Sequence, residues 1–241
     1  MSQVFSQKPW VMPEEPPRIK KIFEQHGKVL QYKKGAIFSH GSDNSSVYLV
    51  IKGLVTFGYF DSLDHYQVLS LILPGRSIGD LDSLDSQPCN VLAECLRPTT
   101  VLAVPHGTWI SELHASVANM EAYANSANLK HQCAMEGMIA NYTQPLEHRL
   151  RLLLFSLISS YYNIRKDSWN PCPVTITITD IAKVVACNRC WVSRTISRWS
   201  RENLIKKDGR LLLISSSLFT GLSMEEISDS PLSKFLSPMY R

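Results

Sequence analysis

The stretch Thr177–Trp199 constrains this chain more than any other, because it carries the punctuation of two short helices joined by a tight turn. Thr177 can N-cap the first helix, and Asp180, three positions on, can bond back to the Thr177 amide and complete a capping box. Ile181, Val184 and Val185 then share one buried face. Ala186-Cys187 permits a close turn, and Asn188 is a good N-cap for a second helix. In that helix Val192, Thr195, Ile196 and Trp199 point inward, while Arg189, Cys190, Ser193 and Arg194 point out. An outer face that opens on one arginine and carries another a turn later suits the major groove of DNA. There arginine can make two hydrogen bonds to guanine O6 and N7.

A small helical hairpin with a solvated basic face is the plain alternative, and charge weighs against it. Between Ile181 and Arg210 eight Lys/Arg stand against two acids, Glu202 and Asp208. That segment carries +6 in a chain whose total is +4, so the remainder is slightly acidic. A basic segment on an otherwise neutral-to-acidic protein is the footprint of phosphate contact. At 241 residues the chain has room for two domains, and 44% apolar with 19% charged residues is ordinary for a globular protein. No apolar run is long enough to span a bilayer, and no basic region followed by an apolar run opens the sequence. The expectation is a cytoplasmic protein with no membrane partner. The six cysteines are then reduced thiols rather than a disulfide framework.

Taken in order, residues 1–17, with Pro9, Pro13, Pro16 and Pro17, form an extended arm without its own core. Arg18–Glu24 is a short helix. From Gly27 the period changes to short strands: Val29–Tyr32, Ala36–Phe38, Ser46–Ile51, Leu54–Phe60, Tyr66–Leu73 and Thr100–Val104, separated by turn signals. Many short strands at close spacing mean a small β-roll or barrel. After Pro105 one long helical run is expected, with Val117, Met120, Ala124, Ala127, His131, Ala134 and Met138 alternating at three and four residues as a coiled-coil seam. So many small seam residues bury little alone, which points to a homodimer. Leu146–Tyr161 is the next helix. A strand at Val174–Ile178 leads into the helix-turn-helix, and Asn203–Ile214 reads as strand, turn, strand. The expected division is 1–17 arm, 18–110 β-roll, 111–144 dimerisation helix, 145–220 winged helix-turn-helix and 221–241 tail.

That order resembles the CRP/FNR superfamily of bacterial transcription regulators. Lys34–Phe38, Gly41 and Val47–Gly53 look like the family's opening roll motif, and Pro74-Gly75-Arg76-Ser77-Ile78-Gly79-Asp80 like its glycine-framed turn. Ile181–Arg189 with Val192-Ser193-Arg194 looks like its DNA-reading unit. The similarity runs from about Gly27 to Ile214. The resemblance implies an α+β protein: an N-terminal cyclic-nucleotide-binding-like β-roll, a long dimerisation helix and a C-terminal winged helix-turn-helix. It implies that Arg189 and Arg194 read bases, that Thr177 and Thr179 approach phosphate, and that Ser193 and Arg198 support the docking. Asn188, Cys190, Trp191 and Lys206 complete the DNA-facing set. Cys190 stands where relatives commonly place a glutamate, and it cannot accept from cytosine N4 as a carboxylate would. The partners implied are double-stranded DNA with a near-palindromic site and a second copy of the chain. RNA polymerase is a further candidate.

Relatives that bind cyclic nucleotides hold the ribose with a glutamate and the phosphate with an arginine. The matching positions here are Asp80, following Gly79, with Cys89 and Asn90, and the purine-facing positions on the long helix are Ala134 and Met135. Without the arginine a bound phosphate would lack its partner, so cyclic AMP is not the expected effector and the pocket takes another small molecule or none. No cysteine precedes Cys89, which excludes an N-terminal iron–sulfur cluster. His131 or His106 could ligate haem, though a lone histidine more often fixes helix register. Cys187-x-x-Cys190 has redox or zinc spacing, but one pair cannot close a structural zinc site, so no metal or cofactor is expected. The alternative function is a ligand-binding or interaction module whose basic helices meet an acidic partner. A cupin-type enzyme would need a His-x-His set that His40-Gly41-Ser42 does not supply.

Overall fold

The computed structural model of the protein describes residues 4–5, 7–40, 45–81, 90–209 and 211–222. Helix α1 (Pro17–His26) starts on a proline, whose missing N–H costs nothing in a first turn. Eight strands follow: β1 (Lys28–Tyr32), β2 (Ile37–His40), β3 (Ser46–Lys52), β4 (Val55–Phe60), β5 (Tyr66–Ile72), β6 (Ser77–Ile78), β7 (Leu92–Cys95) and β8 (Thr99–Pro105). They make two four-stranded sheets, ordered β1-β8-β3-β6 and β2-β7-β4-β5, with every pair antiparallel. Strand β3 shows why the roll holds. Tyr48 and Val50 face its interior with Ile72, Ala93, Cys95 and Val101, while Val47 and Leu49 face the helices with Ile19, Phe23 and Trp109.

The helical run after Pro105 is two helices, not one: α2 (His106–His114) and α3 (Val117–Thr143). They are separated where Ser116 N-caps α3 by accepting from the Asn119 amide at 3.1 Å. Helix α4 (Leu146–Ser159) buries Leu150, Leu153, Leu154, Leu157 and Ile158 in the core. The strand expected at Val174–Ile178 is absent. It lies earlier, as β9 (Trp169–Pro171), and residues 173–177 are irregular because the chain there turns into the N-cap of the next helix. Helices α5 (Ile178–Val184) and α6 (Arg189–Arg201) follow, then β10 (Ile205–Asp208) and β11 (Leu211–Ser215). Strand β11 lies between β10 and β9 in a three-stranded antiparallel wing. Strands β6 and β7 went unread in the sequence, the first being two residues long.

The arm is not a loose extension. Trp10, Val11 and Met12 are 0–2% exposed. Trp10 N–H donates to Cys133 O on α3, Leu71 N–H to Trp10 O and Met12 N–H to Leu71 O, so the arm is threaded between β5 and α3. Three residues on, Glu15 reaches the most buried charge among the described residues. Lys130 of α3 is 0% exposed, with its ammonium 2.5 Å from Glu15 Oε1 and 2.6 Å from Asp80 Oδ2, and it also donates to Ser77 Oγ at 2.6 Å. Glu15 accepts in addition from the Ser77 hydroxyl at 2.8 Å and the Ser126 hydroxyl at 2.7 Å. Burial disfavours the Lys130 cation, yet Asp80 and Glu15 outweigh it and raise its pKa to about 12. Burial likewise opposes the Glu15 carboxylate, but Lys130 and the hydrogen bonds hold it below the usual range. For Asp80 burial outweighs the Lys130 charge, and its carboxyl is pushed up.

Removing one member of such a cluster leaves an uncompensated buried charge, which costs about 3–5 kcal/mol. Lys130→Met is therefore expected to lose about that much stability at pH 7. In the variant Glu15 and Asp80 face each other without a cation, so their folded pKa values rise above the unfolded ones and the folded state binds more protons. Stability then increases as pH falls, and the deficit in urea unfolding should be smaller at pH 5 than at pH 7. An equal deficit at both values would count against this account.

Candidate functional site

The helix-turn-helix forms from local chemistry. The Thr177 hydroxyl accepts from the Asp180 amide at 3.2 Å, and Asp180 Oδ2 accepts from the Thr177 amide at 2.9 Å, closing the capping box. The turn passes through Ala186, whose φ of 46° is left-handed, the conformation that terminates a helix. Asn188 Oδ1 then accepts from the Cys190 amide at 2.8 Å and starts α6. Val192, Ile196 and Trp199 are buried, and Arg189, Cys190, Trp191, Arg194 and Arg198 are exposed. At the start of α5 Thr177 and Thr179 are both exposed, and Ser193 on α6 is half-buried.

Two features of this face went unread in the sequence. The Arg194 guanidinium lies 5.1 Å from the centre of the Trp191 ring, so the exposed tryptophan acts as a stacking platform for an arginine. Arg198 is in contact with Glu147 of α4 and 3.8 Å from Glu202, so it is tied into the domain. Lys206, on β10, sits with its ammonium 3.8 Å from the centre of the Trp169 ring. The helix-turn-helix is also fastened to the roll of its own chain. Arg97 donates to Asp180 Oδ2 at 2.7 Å, and Lys183 is 3.5 Å from Glu94. Asn141 of α3 donates to Val184 O at 3.1 Å.

The residues expected to line an effector pocket are scattered. Gly79 and Asp80 border a cavity of only about 10 Å³, together with Met12, Phe57, Ile72 and Ser77. Room for about one water remains. Asn90 is exposed and donates to Phe60 O at 3.0 Å, and Cys89 lies outside the described residues. His131 and Met135 are exposed and Ala134 half-buried on α3, with His131 Nδ1 2.8 Å from Ala127 O of its own helix. On the seam, Val117, Ala124, His131 and Met138 are exposed, and Met120, Ala127 and Ala134 are half-buried. The face of α3 that packs within the chain is instead Tyr123, Ser126, Lys130, Cys133, Glu136, Gly137 and Ala140. Periodicity of apolar residues could not find it, because three of its members are polar or charged.

The fold and the site define a class: a β-roll of the nucleotide-binding kind joined through a long helix to a winged helix-turn-helix. Residues 29–116 match the cyclic nucleotide-binding domain. No curated protein matches the sequence. Among solved structures, FixK2 from Bradyrhizobium japonicum superposes with a TM-score of 0.69 at 18% identity, covering 80% of this chain and 96% of that one. A CRP/FNR-family transcriptional regulator from Thermus thermophilus gives 0.60 at 18% identity, over 84% of this chain and 99% of its own. The c-di-GMP responsive global regulator CLP of Xanthomonas campestris gives 0.63 at 14%, over 82% and 98%. The fold of this chain is that of the CRP/FNR regulators. Among the described residues no helix is long and apolar enough to cross a membrane.

The arm passes close to α3 at Gly137. A Cβ at Gly137 would lie 2.5 Å from Trp10 Cδ1, closer than any real contact. Gly137→Ala is expected to cost about 1–3 kcal/mol through overpacking and to expel Trp10. Proteolysis within residues 8–18 should be faster in the variant, with a lower midpoint of urea unfolding. Unchanged cleavage would mean that the arm is held elsewhere.

Proposed function

We propose that the protein is a homodimeric, sequence-specific DNA-binding transcription regulator of the CRP/FNR type, working in the cytoplasm and not controlled by cyclic AMP. The observation that carries this reading is the exposed start of α6, where Arg189 and Arg194 stand on a capped helix with Trp191 stacked under the second arginine. Beside it the wing presents Lys206 and Lys207, both exposed. Arginines placed so can reach base edges, and wing lysines can reach phosphates. The division into arm, roll (18–110), dimerisation helix (111–144) and DNA-binding domain (145–220) is part of the same reading.

Dimerisation is supported by the outer face of α3, where Val117, Met135, Met138 and Tyr142 are exposed in one continuous helix. A second copy would cover that face and set two α6 helices about 34 Å apart, one turn of DNA. Independence from cyclic AMP is supported by the filled roll. Met12 is packed among its interior side chains, and the Lys130 cation beside Asp80 is already matched by two carboxylates.

Selection from random DNA is expected to return a near-palindromic site that differs from the commonest family site at the base pair facing Cys190. Arg189→Ala should relax preference at one base pair per half-site, by about 1–3 kcal/mol. Lys206→Ala should weaken all sequences about equally and flatten the salt dependence by about one charge. Affinity indifferent to sequence would instead favour an acidic protein partner for the same basic surface. Calorimetry with millimolar cyclic AMP should show no saturable heat, and micromolar binding would refute the last clause of the proposal.

A further inference from the structure

Cations withdrawn from water without a carboxylate in contact are uncommon, because their lost hydration is not offset. Two such groups line one cavity, Lys8 from the arm and Arg76 beside it. Arg76, in the turn between β5 and β6, is 3% exposed, and among the described residues its hydrogen bonds go to carbonyl oxygens. Its Nε donates to Met12 O at 2.8 Å and its Nη1 to Pro74 O at 2.6 Å, while Ser160 O lies a long 3.5 Å from Nη2. The Tyr161 ring centre is 5.5 Å from the guanidinium carbon. Lys8, half-buried in the arm, donates to Ser159 O at the end of α4. Among the described residues neither cation makes a salt bridge. Burial, and then the charge of Arg76, hold the Lys8 ammonium below the usual lysine range.

Both cations line a cavity of about 220 Å³, together with Met12, Glu14, Cys133 and Ser160. Its lining carries one carboxylate, Glu14, whose charge also acts on Arg76. Glu14, the acid on the lining, is engaged by Lys20, and burial pushes the Cys133 thiol up to about 12, so it stays neutral. This space is separate from the small cavity beside Asp80, the two sharing only Met12 among their lining residues.

We propose that this cavity is a binding site for a small oxyanion, a carboxylate or a phosphate group, gripped between the Lys8 ammonium and the Arg76 guanidinium. An oxyanion there relieves the repulsion between two desolvated like charges. It can also take the N–H bonds that the carbonyls leave over, and a planar fork suits a carboxylate or phosphate edge. Because the walls come from the arm, the β5–β6 turn, α3 and the end of α4, occupancy ties the arm to the junction of both halves of the chain. The site does not depend on DNA binding and can be tested without it.

The test is calorimetric titration of the full-length protein with sodium phosphate and, separately, with sodium acetate, at constant ionic strength made up with chloride. Saturable binding of one anion per chain in either titration is expected, and the titration that saturates identifies the group. Lys8→Gln should weaken it about 10- to 100-fold, the effect of losing a charged hydrogen-bond donor. Lys8→Arg should retain it. Arg76→Lys, which keeps the charge and loses the fork, should also bind more weakly, and thermal unfolding reports whether each variant is folded. No saturable heat with either anion in the wild-type protein overturns the proposal, as does an undiminished affinity in folded Lys8→Gln.

Discussion

An ammonium with no exposure to water cannot exist in this protein unless carboxylates reach it, and that requirement arranges much of the chain. Lys130 lies midway along α3. Glu15 comes to it from the N-terminal arm and Asp80 from the end of the β-roll's glycine turn, so one ion cluster joins three segments far apart in sequence. Once Glu15 is placed, the preceding residues have no freedom to wander. Trp10 must pass α3 at Gly137, and Met12 must enter the roll, where it fills space among the interior side chains. A buried charge cluster of this kind is a weak source of net stability and a strong source of register, since an arm shifted by two residues would withdraw Glu15 and leave Lys130 with Asp80 alone.

The same economy appears at the other end of the molecule, where one carboxylate serves two purposes. Asp180 closes the capping box of α5 through the Thr177 amide and hydroxyl, and it accepts from Arg97 of the roll through the same oxygen. The first helix of the helix-turn-helix is thus initiated by a residue that also fixes where the helix sits. Detaching α5 from the roll would break both the Arg97–Asp180 and the Lys183–Glu94 contacts, yet leave the cap intact. The helix-turn-helix can therefore change its docking without losing its fold.

Local signals made the skeleton legible, and long-range polar contacts hid the rest. Thr177, Asp180 and Asn188 announce their caps because capping is a matter of three or four residues, and the strands of the roll announce themselves through alternation and turn residues. The outer stripe of α3 is visible as spaced small and apolar side chains. Its inner stripe is not, because Ser126, Lys130 and Glu136 carry no apolar period and their partners lie in distant sequence. The arm misled for a related reason. Its prolines signal an extended chain, which it is, but Trp10-Val11-Met12 between Pro9 and Pro13 is a compact apolar run that marks a docking segment. The pairing of Trp191 with Arg194 follows from helical spacing alone and could have been anticipated.

Helix α3 ends up between two attachments of opposite character. Its inner face is fixed by the arm through Trp10 and by the Lys130 cluster, and its outer face offers Met135, Met138 and Tyr142 to whatever lies beyond. A helix is stiff along its axis, so a rotation imposed on one face is felt on the other at the same residues. If a second copy pairs along the outer face, the arm becomes the inner determinant of how the two helices meet. The spacing of the paired α6 helices then depends on it as well. Met12 in the roll and Glu15 beside Lys130 belong to a covalently attached segment, so its concentration there is set by the linkage rather than by the surroundings. The Arg76–Lys8 cavity is where this arm meets both halves of the chain.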